Sequence, residues 1–217
     1  MNIALIVPVL NRFDLFAELI RSVDFPVRPI IIDNWKENRG VAAAWNIGMN
    51  IAVKNGYRYA IIANDDSSFE PNTIIKLVYS IIDTGACLVS PNPNGSIAPQ
   101  GLIDGSDFFN FIVDVPLLLD NCGTFDENFI PAYFEDNDMH YRIKLSGQKA
   151  YINTDAIARH HGSATQYADR NNPVCPPHQF EQNRRYYVEK WGGEPGREVC
   201  LTPYGSPNHT IKDWDRR

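Results

Sequence analysis

Three short stretches of the 217-residue sequence concentrate side chains able to do chemistry: Asn64-Asp65-Asp66, Phe134-Glu135-Asp136-Asn137-Asp138 and His160-His161. The first sets two adjacent carboxylates directly after the apolar run Tyr59 to Ala63. Neighbouring carboxylates at such a place repel unless something positive joins them, and a hard divalent cation shared with phosphate oxygens meets that need. The second sets three carboxylates at a helix start, where the macrodipole favours negative charge. Capping needs only one of them, so another is free to accept a proton from a hydroxyl. A histidine pair is more often structural than ligating, but it becomes a candidate ligand where carboxylates for a metal are at hand.

The elements that must position these groups follow from hydrophobic periodicity. Ile3 to Val7 is a continuous apolar run ending at Pro8, the pattern of a strand buried on both faces. A helix is predicted from Asn11, with Phe13, Phe16, Ile20 and Val23 as its apolar stripe. The unit then repeats: Pro29 to Ile32 reads as a strand ending at Asp33, Val41 to Val53 as a helix, and Tyr59 to Ala63 as a third strand. Pro71 is placed in the first turn of a third helix, and Cys87 to Val89 is a fourth strand. The Pro-, Gly- and Asn-rich stretch 92–107 is expected to be a loop over the site. Beyond it the sequence predicts a strand-like Phe108 to Leu119, a helix Glu135 to Leu145, a strand Lys149 to Ile152 and a helix His178 to Trp191. The last 25 residues read as an irregular wrap.

Strands alternating with helices of this length indicate a single α/β domain with a doubly wound, mostly parallel sheet and helices on both faces. Ligands of such sheets bind beyond the carboxyl ends of the strands. Three successive strands end there in polar groups, at Pro8 to Asn11, at Asp33-Asn34 and at Asn64-Asp65-Asp66. The plain alternative is that Asp and Asn serve only as turn residues.

Composition narrows the choice. Twenty Lys and Arg against 26 Asp and Glu give a net charge of −6, the wrong sign for gripping bare phosphate backbone, so nucleic acid is not the expected partner. Apolar runs fall well short of the roughly 20 residues that cross a bilayer. The start lacks the features of a secretion signal, and the expected location is cytoplasmic. Cys87, Cys122, Cys175 and Cys200 form no C-x-x-C pair, and idle thiols are expected. The sequence contains no G-x-G-x-x-G, no G-x-x-x-x-G-K-[ST], no H-E-x-x-H and no G-x-S-x-G, which sets aside the enzyme classes that depend on them.

The order of motifs over about residues 3 to 165 resembles the nucleotide-sugar glycosyltransferases of the GT-A fold, specifically glycosyltransferase family 2. The matching pieces are Val7-Pro8 with Asn11-Arg12, Ile32-Asp33-Asn34, Asn38 to Gly48, the Asn-Asp-Asp triplet, Phe125-Asp126-Glu127, Phe134 to Asp138 with Arg142, and His160 with Thr165. Asn183 to Gly192, with Lys190-Trp191-Gly192, also looks like the closing helix of some members. The resemblance implies a GT-A domain over 1–170, with 171–217 forming a helix and tail packed on it.

It also implies roles. Pro8, Asn11 and Asp33 match residues that cradle the nucleotide base and ribose, and Asn34, Asn38, Gly40, Asn46, Asn64 and Asp65 fall on the nucleotide-sugar side. Asp66 matches the last acid of the D-x-D motif that binds a divalent metal, Mn2+ or Mg2+, on the donor diphosphate. Asn64 stands where many members carry Asp, an Asn-x-Asp form known from the rhamnosyltransferase-like branch. His160, or His161 one position on, matches a histidine that completes the metal site. Asp136 matches the general base, with Glu135 and Trp45 on the acceptor side.

The implied activity is an inverting, metal-dependent transfer from a UDP- or dTDP-type sugar donor to a hydroxyl of a glycan or glycoconjugate. A non-catalytic module binding a nucleotide sugar or glycan is the rival, since the same pocket binds without turnover.

Overall fold

The computed structural model describes all residues except 1, 99, 163, 170 and 215–217. Ser163, within the His160 to Thr165 motif, and Arg170, the end of the expected GT-A segment, therefore lie outside the described residues. In chain order the elements are β1 (Ile3–Val9), α1 (Phe13–Ser22), β2 (Arg28–Asp33), α2 (Val41–Lys54), β3 (Tyr59–Ala63), β4 (Ser67–Phe69) and α3 (Thr73–Thr84). There follow β5 (Leu88–Pro93), β6 (Leu102–Asp104), β7 (Asn110–Asp114), α4 (Val115–Cys122), α5 (Glu135–Leu145), β8 (Ala150–His160) and α6 (Pro177–Trp191).

One sheet runs in the order β2-β1-β3-β7-β5-β8-β4, with β6 also paired to β8. β1, β2, β3, β5 and β8 point one way, while β4, β6 and β7 oppose them, so the sheet is mixed and mostly parallel. Alternation along β1 sorts the side chains onto its faces. Ala4 and Ile6 join a core with Trp45 and Met49 of α2, Leu118 of α4 and Met139 of α5. Ile3, Leu5 and Val7 join Leu19 of α1 and Leu77 and Ile81 of α3 on the other face. Helices thus cover both faces, as expected.

α2 lies unusually close to the sheet. A Cβ built on Gly48 would stand 2.2 Å from Cγ2 of Ile6, a separation that no side chain tolerates.

Several boundaries differ from the sequence expectation. The stripe of α1 centres on Leu15 and Leu19, with Phe16 and Val23 packed partly alongside, whereas Phe13 and Ile20 are exposed. The apolar run Phe108 to Leu119 splits at Asp114, whose carboxylate accepts from Leu117 N–H at 3.3 Å and caps α4, with Pro116 in the first turn. A short apolar run does not separate strand from helix by period alone. α3 begins at Thr73 after a left-handed Asn72, so Pro71 precedes the helix, and Ser67–Phe69 adds a strand. β5 reaches Pro93 and the expected loop contains β6. β8 continues past Ile152 to His160, because its far half pairs with β4.

α6 packs on α5 through an aromatic cluster of Phe129, Phe134, Tyr141, Tyr186, Tyr187 and Trp191. Beneath it lies a buried ionic network. Lys190 Nζ sits 2.8 Å from Asp126 and 2.7 Å from Asp138, and Asp138 also pairs with Arg142 at 2.5 Å. Trp191 Nε1 donates to Asp138 at 2.8 Å, and the Tyr186 hydroxyl donates to Asp126 at 2.7 Å. The remaining acceptors for Arg142 are the carbonyls of Cys122 and Thr124. Breaking one partner of such a network strands a charge in low dielectric.

Candidate active site

The carboxyl ends of β1, β2, β3 and β8 meet at one edge of the sheet, and the antiparallel β7 brings its amino end to the same edge. A cavity of about 270 Å³ opens there. Of the proposed site residues it gathers Pro8, Asn34, Asn38, Trp45, Asn64 and Asp65 with Asp66, Glu135, Asp136 and His160.

Asp65 and Asp66 are buried at the end of β3 and are held by different partners. Asp65 accepts from Leu10 N–H at 2.9 Å and from the Thr165 hydroxyl at 2.6 Å. Burial nonetheless raises its pKa, with the neighbouring Asp66 adding to the effect. Asp66 faces His160 Nε2 at 3.2 Å through one oxygen and accepts from Thr165 N–H at 3.3 Å through the other. Burial works to raise its pKa too, but His160 together with backbone N–H donors, Thr165 among them, outweighs it and the net shift is downward. His160 is fixed by a stacked Phe109 ring at 5.0 Å and by its place in β8. A carboxylate and an imidazole this close form a donor set suited to a divalent cation that draws its other ligands from phosphate and water. Among the described residues no cluster of three or more His, Cys, Asp or Glu stands ready to enclose a metal. A site completed by a ligand's oxygens fits that arrangement.

Across the cavity, the turn before α5 carries two consecutive left-handed residues, Tyr133 at φ 79° and Phe134 at φ 76°. It delivers Glu135 and Asp136 to the wall. Burial raises the Glu135 carboxyl well above its ordinary range, and the Asp136 charge adds to the shift. One Glu135 oxygen, Oε2, is enclosed with no hydrogen-bond partner. Asp136 is also raised by burial, partly offset by Asn137 N–H, which donates to it at 2.8 Å. Trp45, buried edge-on against Phe111 and Phe125, completes this wall, and its Nε1 is likewise unpartnered.

Five nominated residues stand outside the cavity wall. Asn11 reaches from the β1 end to the Thr165 carbonyl, with Nδ2 at 3.1 Å. Asp33 ends β2 but turns to Lys36, 3.2 Å away. Gly40, at φ 83°, donates N–H to Asn38 Oδ1 at 3.0 Å. Asn46 is committed to the 125–127 segment, donating to Phe125 O and Glu127 Oε1 and accepting from Phe125 N–H, each at 2.9 Å. His161 points away to Glu18 at 3.6 Å, so of the two histidines only His160 enters the cavity.

The sequence reasoning missed other lining residues, notably Asp107, Gln166 and Tyr133, and it named Thr165 only as the motif companion of His160 without a role. Asp107 closes the Pro- and Gly-rich stretch and enters because β7 is antiparallel, and burial raises its pKa. The expectation of a loop over the site was its only signal. Among the described residues five carboxylates, Asp65, Asp66, Asp107, Glu135 and Asp136, line the cavity with one imidazole and no Lys or Arg. Chemically this surface suits cation-bridged anions and proton acceptance.

No protein-family model matches the sequence, and no curated protein matches it. Solved structures do share its fold. Residues 1–349 of TarS from S. aureus, in complex with UDP-GlcNAc, superpose with a TM-score of 0.59 at 15% identity, covering 87% of this chain and 66% of that one. GalNAc-T7 with UDP, GalNAc and Mn2+ gives a TM-score of 0.64 at 12% identity, covering 88% of this chain and 48% of that one. The chain therefore spans less than two thirds of either protein. The shared architecture is the GT-A fold of glycosyltransferases.

Proposed function

We propose that the protein is an inverting, metal-dependent glycosyltransferase that moves a sugar from a UDP- or dTDP-type donor to a hydroxyl of a glycan or glycoconjugate. The observation that carries this reading is the cavity itself: among the described residues, five carboxylates and no Lys or Arg line it, at the strand ends of a GT-A fold. A donor diphosphate could not settle beside those charges alone. Asp66 and His160 would hold Mn2+ or Mg2+, which when bound supplies positive charge for the diphosphate and stabilises the charge developing on it as leaving group. The complexes of TarS with UDP-GlcNAc and of GalNAc-T7 with UDP, GalNAc and Mn2+ support the choice of donor and ion.

The chain's own groups divide the remaining work. Asp65, pinned by Leu10 and Thr165, fixes the β3 end on which Asp66 stands. Asn34 and Asn38 offer amides on the donor side of the wall. Asp136 takes the proton of the acceptor hydroxyl as that oxygen bonds to the anomeric carbon and the bond from that carbon to the phosphate oxygen breaks, with inversion. Its raised pKa makes it a better base than an exposed aspartate. Trp45 and Glu135 flank the acceptor.

The test is a panel of nucleotide sugars with simple glycan acceptors, scored for nucleotide release with and without Mn2+. Release that needs both acceptor and metal supports the reading. Donor binding with no release under any condition would leave a binding module in its place.

A further inference from the structure

α6 lies beyond the segment whose motifs point to catalysis, yet it holds the turn on which the proposed base is mounted. Asn183 is 2% exposed, and its Nδ2 faces the carbonyls of Ile130 at 3.2 Å, Ala132 at 2.9 Å and Tyr133 at 3.3 Å. Its Oδ1 accepts from Gln179 Nε2 at 3.3 Å, which fixes the amide with its donors toward the turn. Those carbonyls belong to the chain that runs through Tyr133 and Phe134, both at left-handed φ, straight into Glu135 and Asp136. Residues with a side chain rarely accept that conformation, and they keep it only where surrounding contacts enforce it. The enforcement comes from two sides. Val41 N–H of α2 donates to Pro131 O at 2.9 Å, and Phe180 of α6 packs on the rings of Tyr133 and Phe134 at 5.3 and 5.2 Å.

We infer that Asn183 is a positioning residue, whose single amide holds the 130–134 turn in the conformation that presents Asp136 to the cavity. This rests on the assignment of Asp136 as the base. Asn183 touches neither the cavity nor a reacting atom; it acts only through the turn.

Asn183→Asp tests it with almost no change of shape, since a carboxylate replaces the donors in front of three carbonyls. Asn183→Ala removes the amide altogether. Both should lower kcat by about 100-fold, the cost of misplacing a reacting group by ~1 Å, with donor KM changed less than about twofold. The acid limb of the kcat profile should also move, because the surroundings of Asp136 change. Hydrogen exchange of the whole chain supplies a readout independent of turnover. Amides of 130–137 should lose protection in both variants while those of β1 and β3 keep theirs. Wild-type protection at 130–137 in the variants would overturn the inference, as would loss of protection spread across the sheet. Wild-type protein without any transfer activity would instead refute the proposed function, and the exchange data would still decide whether Asn183 holds the turn.

Discussion

Asp136 and Asp138 stand two positions apart on α5 and have opposite surroundings. Asp136 lines the cavity, with its pKa raised by burial. Asp138 is fully enclosed between Arg142 and Lys190; burial would raise its pKa too, but these cations outweigh that and lower it. Residues two apart on a helix face different directions, so one turn of α5 serves both the cavity and the core.

Asp136→Asn should therefore reduce turnover by about 10²–10⁴-fold while nucleotide affinity stays near wild type. Asp138→Asn should act on stability, because Lys190 and Arg142 lose a charged partner; a loss of roughly 3–5 kcal/mol is expected in urea denaturation. Near-normal turnover in Asp136→Asn would remove the base from the proposed mechanism.

The two raised carboxyls give a pH signature. The proposed mechanism needs Asp136 ionised, so kcat should fall on the acid side at a pH above the ordinary aspartate range. Glu135, whose folded-state pKa is raised, binds its proton more tightly folded than unfolded. Its contribution to stability is thus complete at low pH and lost as pH rises through the folded value. Wild type should lose stability relative to Glu135→Gln as pH rises across that window. A difference between the two that stays constant with pH would contradict the shift.

Chelation should uncouple the donor from the cavity. After treatment with EDTA, UDP or dTDP affinity should drop by at least about tenfold, because five carboxylates then face the diphosphate with no intervening cation. Added Mn2+ should restore it in wild type but not in Asp66→Ala. Full transfer rates in EDTA would exclude the assigned role of Asp66 and His160.

Asp33 and Asn46 should separate by calorimetry. Asp33→Ala is expected to weaken nucleotide binding several-fold, Asp33 standing at the β2 end beside the cavity-lining Asn34. Asn46→Ala should leave nucleotide affinity intact and lower stability by about 1–3 kcal/mol, since it frees buried groups of the 125–127 segment. Unchanged affinity in Asp33→Ala would withdraw it from the donor site.

What the sequence made legible was the part written in local pattern. The β1 run, the α5 boundaries and the polar strand ends at Pro8, Asn34 and Asn64-Asp65-Asp66 all depend on neighbours in the chain. Asp107 was not legible, because its place depends on β7 running antiparallel beside β3, a pairing between residues about 50 apart. Asn46 looked like a site residue from its motif, and only the fold reveals that its amide is spent on Phe125 and Glu127. Choosing between His160 and His161 likewise required knowing that β8 extends to residue 160 against β4.

Gly48 gives α2 a further meaning. Val41 and Trp45 of that helix form one side of the cavity, and Gly48 lies on the same face, about one turn deeper, against Ile6. The missing methyl group lets the helix backbone rest on β1, on the helix face that also carries Val41 and Trp45. Any side chain at position 48 would have to move the helix that carries one side of the cavity, although Gly48 itself is not on the cavity wall. A lineage carrying this fold could change which molecules fit by altering a single residue outside the site, through the tilt of one helix and with every chemical group left in place.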